Sequence, residues 1–333
     1  MKAIVFEEFG EPAEVLKIQD VAEPEPGPGQ VLVKMIASPI NPSDMMYIRG
    51  VYGHTPELPA TPGFEGVGVV ESSGGGLLGK SLVGKRVVVL NRSRGNWQQK
   101  TVVSAKQAIP VSIGLTDKQA ATFFVNPMTA WVMTREVLKI PKNEWLLQTA
   151  ANSALGKMVA NLGRACGFRT INIVRRPEQA AEIESDQSRA IVFDAAKDCP
   201  DELTEKIGQI VGKTGLRYAI DPVGGPTTSV LIRNMGLGGR ILVFGSLSDT
   251  ETIQFSSRTL ITSSASVEGF WLSNYMAQQN LARKLMLIRR VSKQIQMGTL
   301  ASKIGSTHLL EDYVDAVTAS EARNRAGKVL IKM

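Results

Sequence analysis

Beyond about residue 125 the chain settles into one rhythm, short apolar runs each followed by a stretch of helical character, and nothing else in the sequence constrains its fold so strongly. The runs lie at residues 145–149, 170–174, 190–193, 218–221 and 240–244. Runs of this kind suit buried strands of a parallel sheet with helices packed on both faces. A doubly wound α/β unit of the dinucleotide-binding type is therefore expected over residues 125–265. The first third reads differently. Its β-branched runs at 3–6, 31–37, 66–71 and 86–90 are separated by Gly- and Pro-rich segments such as 23–29, which predicts a β-rich unit over residues 1–124.

Two cores of this size are within reach of 333 residues that are 43% hydrophobic. Lys and Arg number 38 against 31 Asp and Glu, a net charge of +7. Such a surface favours anionic partners such as phosphates without requiring nucleic acid. Cys166 and Cys199 are the only cysteines and His54 and His308 the only histidines, so soft metal ligands are scarce and a reducing compartment fits. No apolar run approaches the ~18 residues that span a bilayer, and the opening MKAIVFEEFG has neither a secretory nor a transit pattern. The expectation is a cytoplasmic protein without membrane or nucleic-acid partners.

The strand-to-helix turn near residue 150 is the first candidate for chemistry. A dinucleotide site needs small residues there, so that backbone N–H groups and a helix N-terminus can approach a pyrophosphate. The G-x-G-x-x-G spacing falls on Ala151, Ser153 and Gly156, with glycine only at the last place. Some twenty residues on, Arg175 and Arg176 end the next strand where an NAD site would carry an acidic residue. Two cations there favour the 2′-phosphate of NADPH, the alternative being ordinary exposed arginines at a strand end. Further small-residue turns at 221–225 and 238–245 bring Gly224 and Gly245 to successive strand ends.

Over residues 280–297 Leu281, Leu285, Ile288, Val291 and Ile295 recur at steps of four and three, which predicts a helix with these residues on its buried face. Arg283, Arg289, Arg290 and Lys293 fall mostly on the other side, and no acidic residue occurs between Glu268 and Glu311. This basic block reads either as a solvated face or as a docking patch for an acidic or phosphorylated carrier.

The segments 40–44 (INPSD), 50–60 (GVYGHTPELPA), 126–130 (NPMTA), 169–175 (RTINIVR) and 269–273 (GFWLS) carry a family likeness. Over its whole length the chain resembles the medium-chain dehydrogenase/reductases and, within them, the mitochondrial-type trans-2-enoyl-thioester reductases. The resemblance implies a GroES-like catalytic domain over 1–124, a Rossmann NADPH-binding domain over 125–265 and a return to the catalytic domain over 266–333. It implies that Asn152, Ser153, Ala154, Leu155 and Gly156 cradle the cofactor together with Arg175, Arg176, Gly224 and Gly245. By the same likeness Tyr52 is the proton donor, a phenol that stays protonated at neutral pH; read alone it is a loop aromatic. Asn41 and Thr129 would be polar positioners near the nicotinamide, with Phe270 and Trp271 lining the acyl pocket.

Two departures matter. Zinc-dependent members carry a cysteine and a histidine ligand where this chain has Asn41 and Phe64, so no catalytic zinc is expected. Asp44 and Glu65 then read as supporting groups and not as catalysts. Ala154 stands where the reductases have glycine. The expected activity is NADPH-dependent reduction of the C=C bond of 2-enoyl thioesters on coenzyme A or acyl carrier protein, in a homodimer of the kind common in the superfamily. An NADPH:quinone oxidoreductase is the main alternative, and a nucleotide-binding protein without turnover is a third.

Overall fold

The computed structural model describes all of residues 1–333 except Arg92, Ser112, Ala196, Asp249, Glu251, Arg323 and Asn324. The chain forms two compact units, Met1–Val125 joined by Ala301–Met333, and Asn126–Leu300.

Six parallel strands make the sheet of the second unit, in the spatial order Ser188–Val192, Arg169–Val174, Trp145–Gln148, Leu216–Asp221, Met235–Val243, Ser266–Gly269. The sequence order reverses between the two central strands, Trp145–Gln148 and Leu216–Asp221. In open α/β sheets ligands bind outside the carboxyl ends of the strands at such a reversal. Leu147, Ile171, Ile173, Ile191, Leu216, Ala219 and Ile241 fill the core with Leu203, Ile207 and Leu231 from the covering helices. Burial on this scale, at about 25 cal/mol per Å² of apolar surface, dominates what holds the layers together.

The first unit is built on an antiparallel sheet in which Gln30–Pro39 pairs with Glu65–Ser73, Lys100–Ser104 and, from the far end of the chain, Lys328–Lys332. The last strand is held in register by Leu330↔Pro39, Ile331↔Ser38 and Lys332↔Ala37. It also pairs in parallel with Ile304–Leu309. Val31, Val33, Val70, Val87 and Val89 pack beneath one part of this sheet. Phe6, Tyr47, Ile48, Trp97 and Ile331 form a second core cluster of the unit.

Two expectations need correction. The return to the first unit begins at Ala301 and not at residue 266, because Ser266–Gly269 is the sixth strand of the parallel sheet, paired through Ile241↔Val267. The helix Leu281–Gln296 stays with that unit through ion pairs from Arg283 and Arg290 to Glu136. This helix buries only part of the face expected, Val291 and Ile295 but not Leu281 and Leu285. Leu287, Val291, Ser292 and Ile295 are buried, whereas Leu281 is 72% and Leu285 50% exposed. With 3.6 residues per turn, the Leu287–Val291–Ile295 stripe is displaced roughly 100° around the helix from the two leucines.

Candidate active site

In the second unit the chain leaves Trp145–Gln148 through a turn with Ala150 at φ +48° and enters the helix Ala154–Cys166. Ser153 caps the helix, its Oγ accepting from Gly156 N at 3.0 Å. A Cβ on Gly156 would lie 2.4 Å from the carbonyl oxygen of Ala151, so close packing of helix on turn demands glycine there. Gln148 Nε2 donates to Gly156 O at 2.9 Å and to Asn172 Oδ1 at 2.6 Å, tying the first turn of the helix to two neighbouring strands. Ala154 is the first helical residue and lacks a positive φ, so its backbone does not require glycine. Asn152 Oδ1 is buried without a hydrogen-bond partner. A buried polar atom left unsatisfied is costly, and here it lies beside a capped helix N-terminus, the arrangement that receives a phosphate.

The adjoining strand end is organised by Asp221, which is fully buried. Its carboxylate accepts from the hydroxyls of Thr149 and Thr228 and from the backbone N–H groups of Val223 at 2.9 Å and Gly224 at 3.2 Å. One side chain thus fixes both turns at the sheet reversal. Gly224 has φ +80°, and a Cβ on Gly245 would meet Pro222 O at 2.6 Å. Arg175 is exposed immediately after Arg169–Val174, and Arg176 opens the helix Pro177–Ala181. The candidate cofactor residues therefore gather at the carboxyl ends of the first, second, fourth and fifth strands of this unit. Leu155 lies in the first turn of the capped helix.

Thr129 is buried in the helix Val125–Trp131. Phe270 continues the last strand, its N–H donating to Val243 O at 2.8 Å. Trp271 follows at 39% exposure, so it is not a core aromatic.

In the first unit Asn41 caps the helix Pro42–Ile48 and belongs to a buried polar group of four. Its backbone N–H donates to Asp44 Oδ2 at 2.7 Å, and its Nδ2 donates to Glu65 Oε1 at 3.0 Å. Asn41 Oδ1 accepts from Lys328 Nζ, which also donates to Ile40 O at 3.3 Å. Glu65 Oε2 accepts from the N–H groups of Phe124 and Val125, both at 2.9 Å. Burial pushes the Asp44 carboxyl up to about 7, against the hydrogen bonds from Asn41 and Phe64. Burial also raises Glu65, with Lys328 opposing, and lowers the Lys328 ammonium to about 8, opposed by Glu65 and Asp44. Lys328 was missed in the sequence, where it reads as the polar start of a terminal strand. The signal for it was chemical: two buried carboxylates require a cation.

This geometry sets a pH dependence. With a folded-state pKa raised from 3.8 to about 7, Asp44 keeps in the folded protein a proton that the unfolded chain has released. Its contribution to stability is full below the lower value and is lost as pH rises through the upper one. Urea unfolding of wild type and Asp44→Asn between about pH 4 and about pH 8 should show a steeper fall with rising pH for wild type; parallel curves would contradict the shift.

Tyr52 follows the helix Pro42–Ile48 in a loop and is half-buried. Its ring lies 5.1 Å from that of Phe64 at an interplanar angle of 34°. Phe64 is also edge-on to Tyr47 at 5.1 Å, and its N–H donates to Asp44 Oδ1 at 3.0 Å. The Phe64 ring is thus packed between the rings of Tyr47 and Tyr52. Among the described residues no three His, Cys, Asp or Glu side chains converge on a point. The residues present do not fit a catalytic zinc, which needs three protein ligands of this kind.

Residues 27–113 match the alcohol dehydrogenase GroES-like domain, and residues 154–287 match the zinc-binding dehydrogenase family. Along its whole length the chain is 30% identical to the mitochondrial enoyl-[acyl-carrier-protein] reductase of Bos taurus, spanning 89% of that protein. Among solved structures it resembles a Mesorhizobium loti protein provisionally named an NADPH:quinone reductase, with 30% identity, a TM-score of 0.89 and coverage of 100% and 98% of the two chains. It also resembles the complex of Etr1p with NADP and crotonyl-CoA, with 26% identity, a TM-score of 0.81 and coverage of 100% and 99%.

Proposed function

The chain belongs to the medium-chain dehydrogenase/reductase superfamily, beside the mitochondrial enoyl-thioester reductases, and on that premise we propose that it reduces the C=C bond of 2-enoyl thioesters with NADPH. What supports this reading is the full-length likeness to those reductases, together with a phenol, Tyr52, packed on Phe64 and a buried Asn41 held in one orientation. Among the described residues no group of three His, Cys, Asp or Glu side chains gathers to hold a metal for carbonyl reduction. Reduction of a conjugated double bond needs only a hydride, a held carbonyl and an acid.

When bound, NADPH supplies the hydride, and Asn152, Ser153, Ala154, Leu155, Gly156, Gly224 and Gly245 are the residues assigned to hold it. Hydride addition at Cβ moves the π electrons toward Cα and the thioester oxygen. Tyr52 then gives its phenolic proton to Cα, completing the saturated thioester, and solvent returns a proton to the phenolate. Asn41 is a positioner. Its carboxamide is fixed in one orientation because Lys328 holds the oxygen and Glu65 one N–H.

The choice of NADPH over NADH rests on Arg175, exposed at the second strand end, with Arg176 beside it. A charge-assisted bond to the 2′-phosphate contributes about 1.5–3 kcal/mol. Arg175→Ala should therefore raise KM for NADPH roughly 10- to 100-fold and leave KM for NADH nearly unchanged. Equal effects on both cofactors in steady-state assays would remove Arg175 from the 2′-phosphate.

Quinone reduction is the second reading, favoured by the likeness to the Mesorhizobium loti structure. A reduced quinone takes its protons from solvent, so that activity would not depend on a phenol. NADPH oxidation measured side by side with crotonyl-CoA, longer enoyl-CoAs and a quinone decides between them; turnover of the quinone alone would overturn the first reading. A homodimer and a cytoplasmic setting complete the proposal. Ser266–Gly269 ends the parallel sheet, an edge open to a second copy, and both cysteines are unpaired.

A further inference from the structure

The helix Leu281–Gln296 carries an outer band that packing does not explain. Leu281, Leu285, Arg289 and Lys293 follow at steps of four, and all four are exposed. Residues so spaced form one continuous band along a helix. Its first half is apolar and its second half cationic. Leu281 at 72% and Leu285 at 50% exposure place two large side chains in water beside each other, the kind of patch that marks an interaction surface. The cations of the band are not used inside the protein either. Glu136 is engaged by Arg283 and Arg290, whereas neither Arg289 nor Lys293 forms a salt bridge among the described residues. No acidic residue lies between Glu268 and Glu311 in the sequence to compensate them.

We propose that this band docks an acidic protein, the carrier on which the enoyl thioester is presented, with Leu281 and Leu285 seating its apolar ridge and Arg289 and Lys293 pairing with its carboxylates. The inference rests on the thioester reading above and names the carrier for it. Charge complementarity selects the occupant. A second copy of this chain, meeting the band face to face about a two-fold axis, would offer Arg289 and Lys293 only the leucines or the cations of the same band and no carboxylate, whereas an acidic partner pairs with both. The structure also sharpens the choice of residues. Arg290 belongs to an internal ion pair, so Arg289 and Lys293 are the two whose reversal tests the surface alone.

The experiment measures binding of purified crotonyl-acyl carrier protein by calorimetry at low and at physiological salt, beside kcat/KM on crotonyl-pantetheine, a thioester without phosphates or protein. For wild type, affinity should fall as salt rises. Arg289→Glu with Lys293→Glu should weaken carrier binding about tenfold or more and flatten its salt dependence, while kcat/KM on crotonyl-pantetheine stays within about twofold. Arg289→Gln with Lys293→Gln should fall between, with an unchanged melting temperature showing that the helix is intact. Carrier binding and salt slope equal to wild type in the reversed variant would overturn the proposal, as would absence of carrier binding by wild type. A change in self-association with carrier binding unaltered would assign the band to a second copy and also overturn it. Salt-dependent carrier binding that the reversal abolishes, without turnover of either thioester, would uphold the dock and instead reject the enoyl reduction.

Discussion

Replacing Tyr52 by phenylalanine is expected to lower kcat on crotonyl-CoA by roughly 10² to 10⁴, the usual contribution of general acid catalysis. The reason lies in what hydride addition leaves behind, a carbanionic charge shared between Cα and the thioester oxygen that must be protonated before it reverts. In the first unit the charged groups hydrogen-bonded to Asn41, namely Asp44, Glu65 and Lys328, are buried and committed to that contact. Tyr52, half-buried on a loop, is not a member of that buried group. Tyr52→Phe keeps the ring that packs on Phe64, so folding and NADPH affinity should be retained. Quinone reduction by the same variant should fall far less. Wild-type kcat on crotonyl-CoA in Tyr52→Phe would return Tyr52 to a packing role and remove the central residue of the mechanism.

Lys328→Met should cost roughly 3–5 kcal/mol of stability, the range seen when one partner of a buried charge network is removed. The methionine fills the space of the lysine stem but leaves Asn41 Oδ1 without its donor and two buried carboxylates without a cation. Introducing Glu65→Gln into the Lys328→Met protein should recover part of the loss. The new amide is neutral, and Asn41 can turn its carboxamide so that its oxygen accepts from that amide. Urea unfolding of the two single variants and the double variant gives the coupling directly. Additive losses would mean that the four residues act independently despite their contacts.

The second unit was legible because buried parallel strands leave an apolar mark on the sequence that few other elements imitate. Its C-terminal limit was not. Ser266–Gly269 has a burial pattern in which no residue is fully buried, so it lacks the run that identified the other strands. The face expected of Leu281–Gln296 was right at Val291 and Ile295 but wrong at Leu281 and Leu285, because leucines at helical spacing report amphipathicity while which side faces a neighbour depends on atoms far away in sequence. Tyr52 and Asn41 could be picked out only through a family likeness, whereas the cofactor turn showed in its small residues between a strand and a helix. Asp221 was noticed as part of a small-residue turn, yet its grip on Thr149 and Thr228 depends on strands brought together by the sheet reversal. Lys328 meets Asn41 across 287 positions of chain, a distance at which no local pattern operates.

The pairing of Lys328–Lys332 with Gln30–Pro39 gives the protein a fixed order of assembly on the ribosome. Asn126–Leu300 is synthesised without interruption and holds its complete sheet, so it can fold as soon as it emerges, as contiguous domains do during translation. The N-terminal unit must wait. Until the final strand arrives, the edge of Gln30–Pro39 that it will cover is open, and Asp44 and Glu65 have no ammonium beside them. Burying those carboxylates is unfavourable in that interval, so the nascent unit is kept loose at the very place where Asn41 will be fixed. The N-terminal unit therefore closes only after Lys328–Lys332 is made, in one step that completes the pairing of Gln30–Pro39 and brings the ammonium of Lys328 to its polar centre together.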